Sequence, residues 1–360
     1  MWDFAVVGAG PAGSRFARRV AERGADVVVF ERGTVGTPLA CSGHVSDDLW
    51  KFTPEGSREA LRQHEIRGAR FHVGGPASPG YPFYKRTRVS NVIDRVALDR
   101  RLADAAASAG ADVRTDHTVT EVNEFADHVA VTVSTPTGAE TVRARMVAGC
   151  DGPVSRVRRE LGLPEPDELL HGVLGFDETP DHDPFVDVHL TIPGFFAWRI
   201  PRGDAGVEYG LATTAGADVG DRFSAFTDAY GVAISRRCSG AIPIGPPASV
   251  TSRRGFLIGD AAAQTKPFTG GGIIYGMTAA DLAAATIDSG DPGTLAAYET
   301  SWRDELGREI ALGASIRRAY DLPTPIQRAG LAATSGEIGV HMDRPTSVFS
   351  RAHLRATLRR

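Results

Sequence analysis

Three glycines near the amino terminus, Gly8, Gly10 and Gly13, have the spacing of a phosphate-binding turn between a strand and a helix. The first glycine allows the tight turn, the second lets the backbone approach a pyrophosphate, and the third lets the helix pack closely on the strand. Pro11 and Ala12 begin the predicted helix, whose N-terminal N–H groups and dipole face the phosphates. The spacing therefore predicts a dinucleotide-binding site.

An acidic residue stands where such a site holds a ribose. Glu31 follows a second predicted strand, over residues 26–30, and Arg32 comes next. A carboxylate at this place accepts hydrogen bonds from ribose hydroxyls and repels a 2′-phosphate. NADP is therefore disfavoured here, and both residues are predicted to contact the cofactor.

Two later motifs pair glycine with aspartate at the end of a predicted strand. Asp151 precedes Gly152, and Asp260 follows Gly259. Either pair alone is typical of an ordinary turn. An aspartate at the second motif is well placed to bind a ribityl hydroxyl. In this order and separation, the three motifs predict FAD held by a domain that is interrupted in sequence.

A glycine-rich stretch after the third motif opens a predicted helix over residues 270–288. It contains Pro267, Ile273 and three consecutive glycines, Gly270, Gly271 and Gly272. The free N–H groups of a helix N-terminus stabilise negative charge, as on the N1/O2 edge of a reduced flavin. The stretch is therefore predicted to lie at the ring end of the cofactor.

The composition excludes several classes of protein. The 360 residues carry a formal net charge of −4, which gives no general basic surface for nucleic acid. No stretch is long and apolar enough to span a bilayer, and a strand is predicted at once, which leaves no room for a signal peptide. Three scattered cysteines and ten histidines without ligand spacing predict neither disulfides nor a metal site, and the protein is expected to be cytoplasmic.

The motif order predicts an α/β fold. A Rossmann-like FAD-binding domain is interrupted by a mainly antiparallel β-sheet domain for substrate, and helices follow at the C-terminal end. The pattern predicts a helix over residues 92–109 and another over 294–320. The predicted segments are 1–70, 93–165 and 250–292 for the FAD-binding domain, 71–92 and 166–249 for the substrate domain, and 293–360 for the helical region.

With these motifs the chain resembles the p-hydroxybenzoate hydroxylase superfamily of FAD enzymes and, within it, the geranylgeranyl reductase family, particularly the archaeal digeranylgeranylglycerophospholipid reductases. Three features carry the narrower resemblance: Cys41-x-Gly43, the stretch Phe196-Ala-Trp198-Arg-Ile-Pro201, and Pro267 to Gly272. Phe196 replaces a tyrosine of the family signature, Ile200 a phenylalanine and Lys266 an asparagine. Leu39 and Ala40 also depart from the family pattern.

The resemblance implies hydride transfer from reduced FAD to C=C bonds of geranylgeranyl chains in membrane ether lipids or their precursors. It implies that Cys41, Gly43 and Arg95 lie near the flavin, with Cys41 as the candidate proton donor. An unactivated alkene accepts hydride poorly, so an acid close to it is required. Cys150 and Cys238 are expected to be structural.

Aromatic residues around the Gly/Pro-rich β segments suit an apolar substrate channel, although each one alone also fits an ordinary core. The predicted substrate contacts are Phe196, Trp198, Pro201 and Tyr275, with Phe195, Tyr81, Phe83 and Tyr84 as further candidate lining. Lys85, Arg86 and Arg88 either meet a phosphate at the channel mouth or form a solvated strand face. The basic tail, residues 346–360, either touches anionic lipid or is a plain C-terminal helix.

Two other functions stay open at this stage. The chain is also compatible with an aromatic monooxygenase or halogenase of the same superfamily, since residues 197–201 resemble the halogenase Trp-x-Trp-x-Ile-Pro signature. A flavin-binding carrier or redox sensor is the non-enzyme alternative. The expected partners are an isoprenoid lipid, an electron donor that is either NAD(P)H or a ferredoxin-like carrier, and a possible membrane surface, and the protein is expected to be a monomer.

Overall fold

A computed structural model describes the protein over residues 1–37, 41–214, 218–339 and 341–349. The elements of its first part are β1 (Trp2–Val7), α1 (Pro11–Ala21), β2 (Val27–Phe30), β3 (His44–Ser46), α2 (Ser57–Leu61), β4 (Arg62–Ile66), β5 (Gly68–His72), β6 (Gly80–Tyr84), β7 (Ser90–Ile93) and α3 (Arg95–Ser108). Then come β8 (Asp112–Arg114), β9 (Thr118–Glu124), β10 (Val129–Thr135), β11 (Gly138–Gly149) and α4 (Arg156–Glu160).

The second part of the chain supplies a run of strands and then long helices. Its elements are β12 (Glu168–Asp177), β13 (Phe185–His189), β14 (Ala197–Pro201), β15 (Val207–Thr214), α5 (Val219–Tyr230), β16 (Arg236–Ile244), β17 (Gly255–Leu257), α6 (Ile273–Thr286), α7 (Leu295–Arg317), α8 (Thr324–Thr334) and β18 (Gly336–Glu337). Short 3₁₀ turns lie between several of them, including one over Gly259–Ala262.

A seven-stranded sheet forms the layer that carries the three glycine motifs. Its order is β8-β2-β1-β11-β10-β9, with β17 pairing β11. β8, β2, β1, β11 and β17 pair in parallel with one another, whereas β11 pairs antiparallel with β10, and β10 with β9, in a meander. The centre of β1 and all of β2 are apolar and buried, as in strands covered by helices on both faces. The helix α1 packs against α3 and α6, which places all three motifs at one edge.

An eight-stranded sheet forms the second layer, in the order β16-β12-β15-β14-β13-β5-β6-β18. It is mainly antiparallel, and only the β5·β13 and β6·β18 pairs are parallel. One face carries an apolar cluster that includes Phe195, Phe196 and Trp198. The opposite face packs against α5 through Phe223 and Phe226. The α/β fold class with a mainly antiparallel second sheet is therefore as predicted.

The helix predicted over residues 92–109 was wrong at its start. Val92 and Ile93 belong to β7, which pairs with β3 and β4 in a separate three-stranded sheet. The helix begins at Arg95 because the Asp94 side chain accepts the Ala97 N–H at 2.9 Å and caps it. The β-branched pair before the cap is buried in strand pairing instead.

The end of the chain returns to the second layer. After α7, Arg318–Asp321 form a 3₁₀ turn, and β18 adds the last strand to the edge of the eight-stranded sheet. The part of the predicted C-terminal helical region from residue 350 onward lies outside the described residues, as do Leu39 and Ala40. Among the described helices, none has the length and apolar content that a membrane crossing requires.

Candidate active site

The first glycine turn has the geometry that its spacing predicts. Gly8 has φ +99°, and a Cβ there would lie 2.4 Å from the Cys150 carbonyl oxygen. A Cβ on Gly13 would lie 2.0 Å from the Gly8 carbonyl oxygen, so only glycine fits at this position of the helix. A Cβ on Gly10 would meet no atom within 4 Å. Gly10 is also the N-cap of α1 and provides no side-chain cap, which leaves an open N-terminus with Pro11 in its first turn.

Glu31 lies directly beside this turn. Its carboxylate accepts the Ala9 N–H at 2.8 Å, and no described residue donates to its other oxygen. That oxygen is free to accept a ribose hydroxyl. Arg32 is exposed beside it, without a described partner.

Asp151 is engaged within the protein. Its carboxylate accepts the Ser155 hydroxyl at 2.6 Å and the N–H groups of Arg156 and Val157 at 2.7 and 3.0 Å, and so caps α4. Its backbone lies against Gly8, since a Cβ on that glycine would be 3.1 Å from the Asp151 Cα. The structure therefore places Asp151 as a support for the glycine turn, with both oxygens already bonded.

Arg158 braces the second motif against the third, a role that no local sequence pattern indicates. Its buried guanidinium donates to the Ala261 carbonyl at 3.0 Å and the Pro153 carbonyl at 3.1 Å, and pairs with Glu165 at 2.5 Å. These contacts hold the turn after Asp151 against the 3₁₀ turn that contains Asp260.

Asp260 has a free carboxylate at the centre of the site. No described residue donates a hydrogen bond to it, and removal from water raises its pKa to about 6 although the Arg95 guanidinium opposes the rise. A Cβ on Gly272 would be 2.3 Å from its Oδ1, and a Cβ on Gly259 would be 3.0 Å from the Ala12 Cβ. The first and third motifs and the N-terminus of α6 therefore meet at this carboxylate.

The turn before α6 is tight and ends in an uncapped helix. Gly270 has φ +71°, and Gly272 is the N-cap of α6 with no side-chain cap before Ile273. A Cβ on Gly271 would lie 2.9 Å from the Lys266 Cε, so that lysine crosses directly over the turn. Pro267 stands at the start of the turn, the Gly270 N–H donates to the Lys266 carbonyl at 2.8 Å, and the free N–H groups are therefore those of the first turn of α6.

Cys41 and Arg95 come together beside Asp260. Cys41 is half-buried, and its sulfur interacts with the buried Arg95 guanidinium. Burial lowers the pKa of Arg95, but the Asp99 carboxylate and Cys41 outweigh this effect, so the pKa of Arg95 is raised overall. The Arg95 Nε has no partner among the described residues. Gly43, with φ +66°, is required because a Cβ there would lie 2.7 Å from the Ile93 carbonyl oxygen.

Lys266 forms a buried ion pair that the sequence did not reveal. Its Nζ lies 2.5 Å from an oxygen of Asp343, and both side chains are almost fully buried. Burial and the Lys266 charge lower the pKa of His44 to about 4, so this histidine is neutral. Tyr275 donates its hydroxyl to the Asp343 carbonyl at 2.9 Å. Tyr275 therefore sits in the core of the cofactor layer rather than in the aromatic cluster.

The aromatic cluster lies on the face of the eight-stranded sheet that carries β14. Phe195 and Phe196 stack at 4.3 Å, and Phe196 contacts Trp198 edge-on at 5.7 Å. Tyr320 closes the cluster from the end of α7, at 5.8 Å from Phe196. Pro201 is the buried last residue of β14, and the alternation of side chains along the strand puts it on the face opposite to Trp198. Tyr81, Phe83 and Tyr84 lie on β6, three strands away from β14.

The three basic residues after β6 are mostly committed to carboxylates. Arg88 pairs with Asp47 at 3.0 Å and with Glu65 at 2.8 Å, and Arg86 lies 3.1 Å from Glu337. Burial lowers the pKa of Lys85. The structure does not gather these residues into a free phosphate site.

The residues present fit FAD. A diphosphate fits the space that a Gly10 Cβ would fill at the uncapped end of α1, and Glu31 has an oxygen free for a ribose. Asp260 is a partnerless acceptor suited to a ribityl hydroxyl, and the N-terminus of α6 and Arg95 suit the ring end.

Comparisons with known proteins support FAD as the cofactor. A model described as the FAD binding domain matches residues 1–183, just over half of the chain. Digeranylgeranylglycerophospholipid reductase 2 of Methanothermobacter thermautotrophicus is 31% identical over 348 residues, which cover 89% of this chain and 88% of that protein.

Solved structures share the fold. A geranylgeranyl bacteriochlorophyll reductase-like protein from Thermoplasma acidophilum superposes with a TM-score of 0.85 at 22% identity, over 99% of this chain and 95% of its own. The p-nitrophenol 4-monooxygenase of Pseudomonas putida has a TM-score of 0.76 at 16% identity, over 99% of this chain and 96% of its own. Because the domain model and the curated relative each span half of the chain or more, the chain binds FAD and belongs to the family of the digeranylgeranylglycerophospholipid reductases.

Proposed function

We propose that the protein is an FAD-dependent reductase that saturates C=C bonds in geranylgeranyl chains of archaeal-type membrane ether lipids or their precursors. The observation that carries the proposal is the position of the Cys41 segment: the Ser42 carbonyl accepts from Arg202, which shares the Glu208 carboxylate with Trp198 of the aromatic cluster. The extended similarity to a reductase named for this substrate supports it.

Each part of the cofactor has proposed partners in this chain. Gly8, Gly10 and Gly13 receive the diphosphate with Pro11 and Ala12, and Glu31 and Arg32 take the adenosine ribose. Asp260 and Gly259 bind the ribityl chain, and Asp151 fixes the backbone beneath the glycine turn. The ring end is assigned to Cys41, Gly43, Arg95, Pro267, Gly270, Gly271, Gly272 and Ile273.

The chemistry requires one hydride and one proton for each double bond. Reduced FAD, when bound, supplies the hydride. The Cys41 thiol is the proposed source of the proton for the other alkene carbon, and solvent later restores that proton. Phe196 and Trp198 hold the apolar chain and exclude water from the reacting carbons. Tyr275, predicted from the sequence as a substrate contact, lies in the cofactor layer with its hydroxyl bonded to the Asp343 carbonyl and is assigned no part in this wall. Pro201, on the other face of β14, is assigned none either.

An anaerobic half-reaction tests the proposal. The purified flavoprotein is reduced without oxygen and mixed with a geranylgeranylated ether lipid. We expect the flavin to reoxidise without oxygen and the product to gain two hydrogen atoms for each double bond reduced. If the flavin stays reduced until oxygen and an aromatic compound are added, the protein is a monooxygenase instead. If neither substrate reoxidises the flavin, the protein is a flavin-binding carrier or redox sensor.

The role of Cys41 has a matched control in Cys238. Both thiols are half-buried, and Cys238 lies on β16 of the substrate sheet. We expect Cys41→Ser to slow alkene reduction by about 100-fold or more, because a hydroxyl is a much weaker acid than a thiol. Cys238 packs against the aromatic cluster but is assigned no proton transfer, so Cys238→Ser should change the rate far less than Cys41→Ser does. A Cys41→Ser variant with full activity would remove this thiol from the mechanism.

We also propose that the protein touches a membrane surface in order to reach its lipid. Ile316, Leu322 and Ile326 are 37%, 43% and 54% exposed around the start of α8, and Arg318 and Arg328 flank them. Such a mixture of apolar and basic side chains suits the interface of an anionic bilayer. Tyr320, in the same segment, packs on the aromatic cluster, so this surface adjoins the proposed substrate site.

Vesicle flotation tests the membrane contact. We expect binding to vesicles that contain anionic lipid and weaker binding to zwitterionic ones. Ile326→Asp should reduce binding, whereas Phe125→Asp, at a comparably exposed residue after β9, should not. Equal binding by both variants would exclude the α8 surface.

We propose that the protein works as a monomer and accepts electrons from NAD(P)H or a ferredoxin-like carrier. Anaerobic reduction of the bound flavin by each donor in turn identifies the one that reacts, and light scattering gives the mass in solution. Failure of both donors, or a stable dimer, would contradict this part.

A further inference from the structure

Arg202 is a buried arginine that joins the eight-stranded sheet to the three-stranded sheet of β3, β7 and β4. It follows β14 and is 7% exposed. One terminal nitrogen donates to the Ser42 carbonyl at 2.7 Å and to a Glu208 oxygen at 3.1 Å. The other donates to the Gln63 side chain at 2.6 Å and to the Ile93 carbonyl at 3.0 Å. A single side chain from the eight-stranded sheet therefore holds the backbone of two separate segments, the residues before β3 and the end of β7.

Glu208 completes the arrangement from β15. It is fully buried, and its second oxygen accepts the Trp198 indole N–H at 2.9 Å. Burial raises the pKa of Glu208, while Arg202 and Trp198 oppose the rise. Trp198 lies on β14 opposite Gly210 of β15. A Cβ at position 210 would lie 2.3 Å from the indole ring, so glycine is needed there to make room for it. Arg202 and Trp198 are thus fixed by the same carboxylate.

The two carbonyls that Arg202 holds belong to the segments that carry the reactive groups. Ser42 follows Cys41 directly, and Ile93 ends the strand just before Arg95. These segments also bond to each other, since the Ile93 N–H donates to the Gly43 carbonyl at 3.0 Å. A displacement of Arg202 would therefore shift Cys41 and Arg95 together relative to Trp198.

We propose that the buried Arg202–Glu208 pair is a positioning device that sets the Cys41 thiol and Arg95 at a fixed place relative to the Trp198 wall. The inference rests on the proposed function, because it assigns the pair a role in proton delivery to a chain held against Trp198. A buried ion pair contributes little stability over apolar residues of the same size, so its geometry is the property that matters. Four donated hydrogen bonds to four separate segments supply that geometry.

The kinetic test compares Arg202→Met with Arg199→Met. Arg199 is also partly buried, lies on the same strand and pairs with Asp181 and Asp187, but these contacts lie outside the site. We expect Arg202→Met to lower kcat for alkene reduction by about 100-fold, because a misplacement of about 1 Å costs that much. KM for the lipid and the Kd for FAD should change little. Arg199→Met should keep the wild-type kcat.

The stereochemistry of the reduced product is a second test, because a loss of protein stability alone would not change it. In D2O the wild-type enzyme should place deuterium on one face of the protonated carbon, since one thiol delivers it. Arg202→Met should give a mixture of both configurations, because water then competes with the displaced thiol. Glu208→Gln keeps the size and the hydrogen bond to Trp198 and should give a smaller change in the same direction.

Hydrogen exchange tests the positioning role without any turnover. In the FAD-loaded protein, Arg202→Met should speed amide exchange at residues 41–43 and at the start of α3, whereas Arg199→Met should not. If the wild type reduces no alkene but exchange changes as expected, the proposed function fails and the positioning role survives. If the wild type is active and Arg202→Met keeps its kcat, single configuration and exchange rates, the positioning role is overturned. If Arg202→Met does not fold, Glu208→Gln decides by the same measurements.

Discussion

Gly10 and Gly13 differ in how much room their surroundings leave for a side chain. Gly10 has φ −70°, which alanine adopts freely, and its Cβ would enter empty space. Gly13 would drive a Cβ into the Gly8 carbonyl oxygen. We expect Gly10→Ala to fold with an unchanged melting temperature but to bind FAD at least 10-fold more weakly, since the methyl group occupies the diphosphate space. Gly13→Ala should be destabilised with or without FAD.

Calorimetry and FAD titration measure both effects. Gly220, where a Cβ also meets nothing within 4 Å, provides the control, and Gly220→Ala should bind FAD normally. Tight FAD binding by Gly10→Ala would mean that the diphosphate does not lie at this turn.

The Asp260 carboxyl makes the cofactor-free protein sensitive to pH. Its folded pKa of about 6 lies above the ordinary 3.8. Between these values the folded state binds more protons than the unfolded state, so stability falls as the pH rises through this window and stays lower above it. We expect Asp260→Asn to be more stable than the wild type at pH 7.5, by on the order of 1–3 kcal/mol, and to differ less at pH 4. Urea unfolding of the apoprotein at both pH values measures this.

The same variant should bind FAD poorly at neutral pH, because the free carboxylate acceptor is gone. Wild-type affinity for FAD should fall as the pH drops through 6 and the carboxyl is protonated. Asp104→Asn, at an exposed position on α3, is the control and should show neither effect. A wild-type affinity that is flat between pH 5 and 7.5 would contradict the role of Asp260.

Residues with local signals were predictable, and those with distant partners were not. Gly8, Gly13 and Glu31 act within one strand–turn–helix unit, so their spacing reveals them. Arg202 acts through Ser42, Gln63 and Ile93, which lie far from it in sequence, and nothing local marks such contacts. Asp151 stays a predicted cofactor residue, and its hydrogen bond with Ser155, four residues later, gives it a further role at α4.

At the level of elements, the boundary between β7 and α3 shows what periodicity misses. Val92 and Ile93 continue the apolar pattern of the following helix, so the sequence predicts one element. Strand pairing with β3 and β4 decides otherwise, and that pairing is not visible within a short window. Asp94, a favourable N-cap residue, was the available sign of the true start.

The segment after β18 is tied to the turn before α6 by the Lys266–Asp343 pair. Both side chains are buried, and the second oxygen of Asp343 has no described hydrogen-bond partner. We expect Asp343→Ala to lower the free energy of unfolding by about 3–5 kcal/mol, because it leaves a buried ammonium group unpaired. The double variant Lys266→Met with Asp343→Leu should be much closer to the wild type.

Urea denaturation of the three proteins checks this coupling. Lys51→Met is the control, because Lys51 pairs with Asp48 at 2.5 Å but its side chain is 72% exposed. Such a surface pair contributes at most about 1 kcal/mol. If Asp343→Ala loses no more than this control, the segment around Asp343 is not anchored through the pair.

In the whole molecule, the interrupted domain was predictable and the strand order of the second sheet was not. The three motifs appear in sequence order with a β-rich insertion between them, and that order alone indicates the interruption. In the eight-stranded sheet, β5 pairs with β13 and β6 with β18, across more than a hundred residues of chain. Such distant pairings leave no periodic signal, so only the class of the sheet could be expected.

Because the cofactor residues come from the beginning, middle and later parts of the chain, FAD binding should stabilise the molecule as one unit. At a free FAD concentration of 100 times Kd, the free energy of unfolding should rise by about 2.7 kcal/mol. We expect slower amide exchange in β14 and β15 as well as in β1 and β2, since Arg202 and Glu208 link the sheets. Arg202→Met should confine the added protection to the cofactor layer. Protection limited to β1 and β2 in the wild type would show that the two layers unfold independently and that the arginine transmits nothing between them.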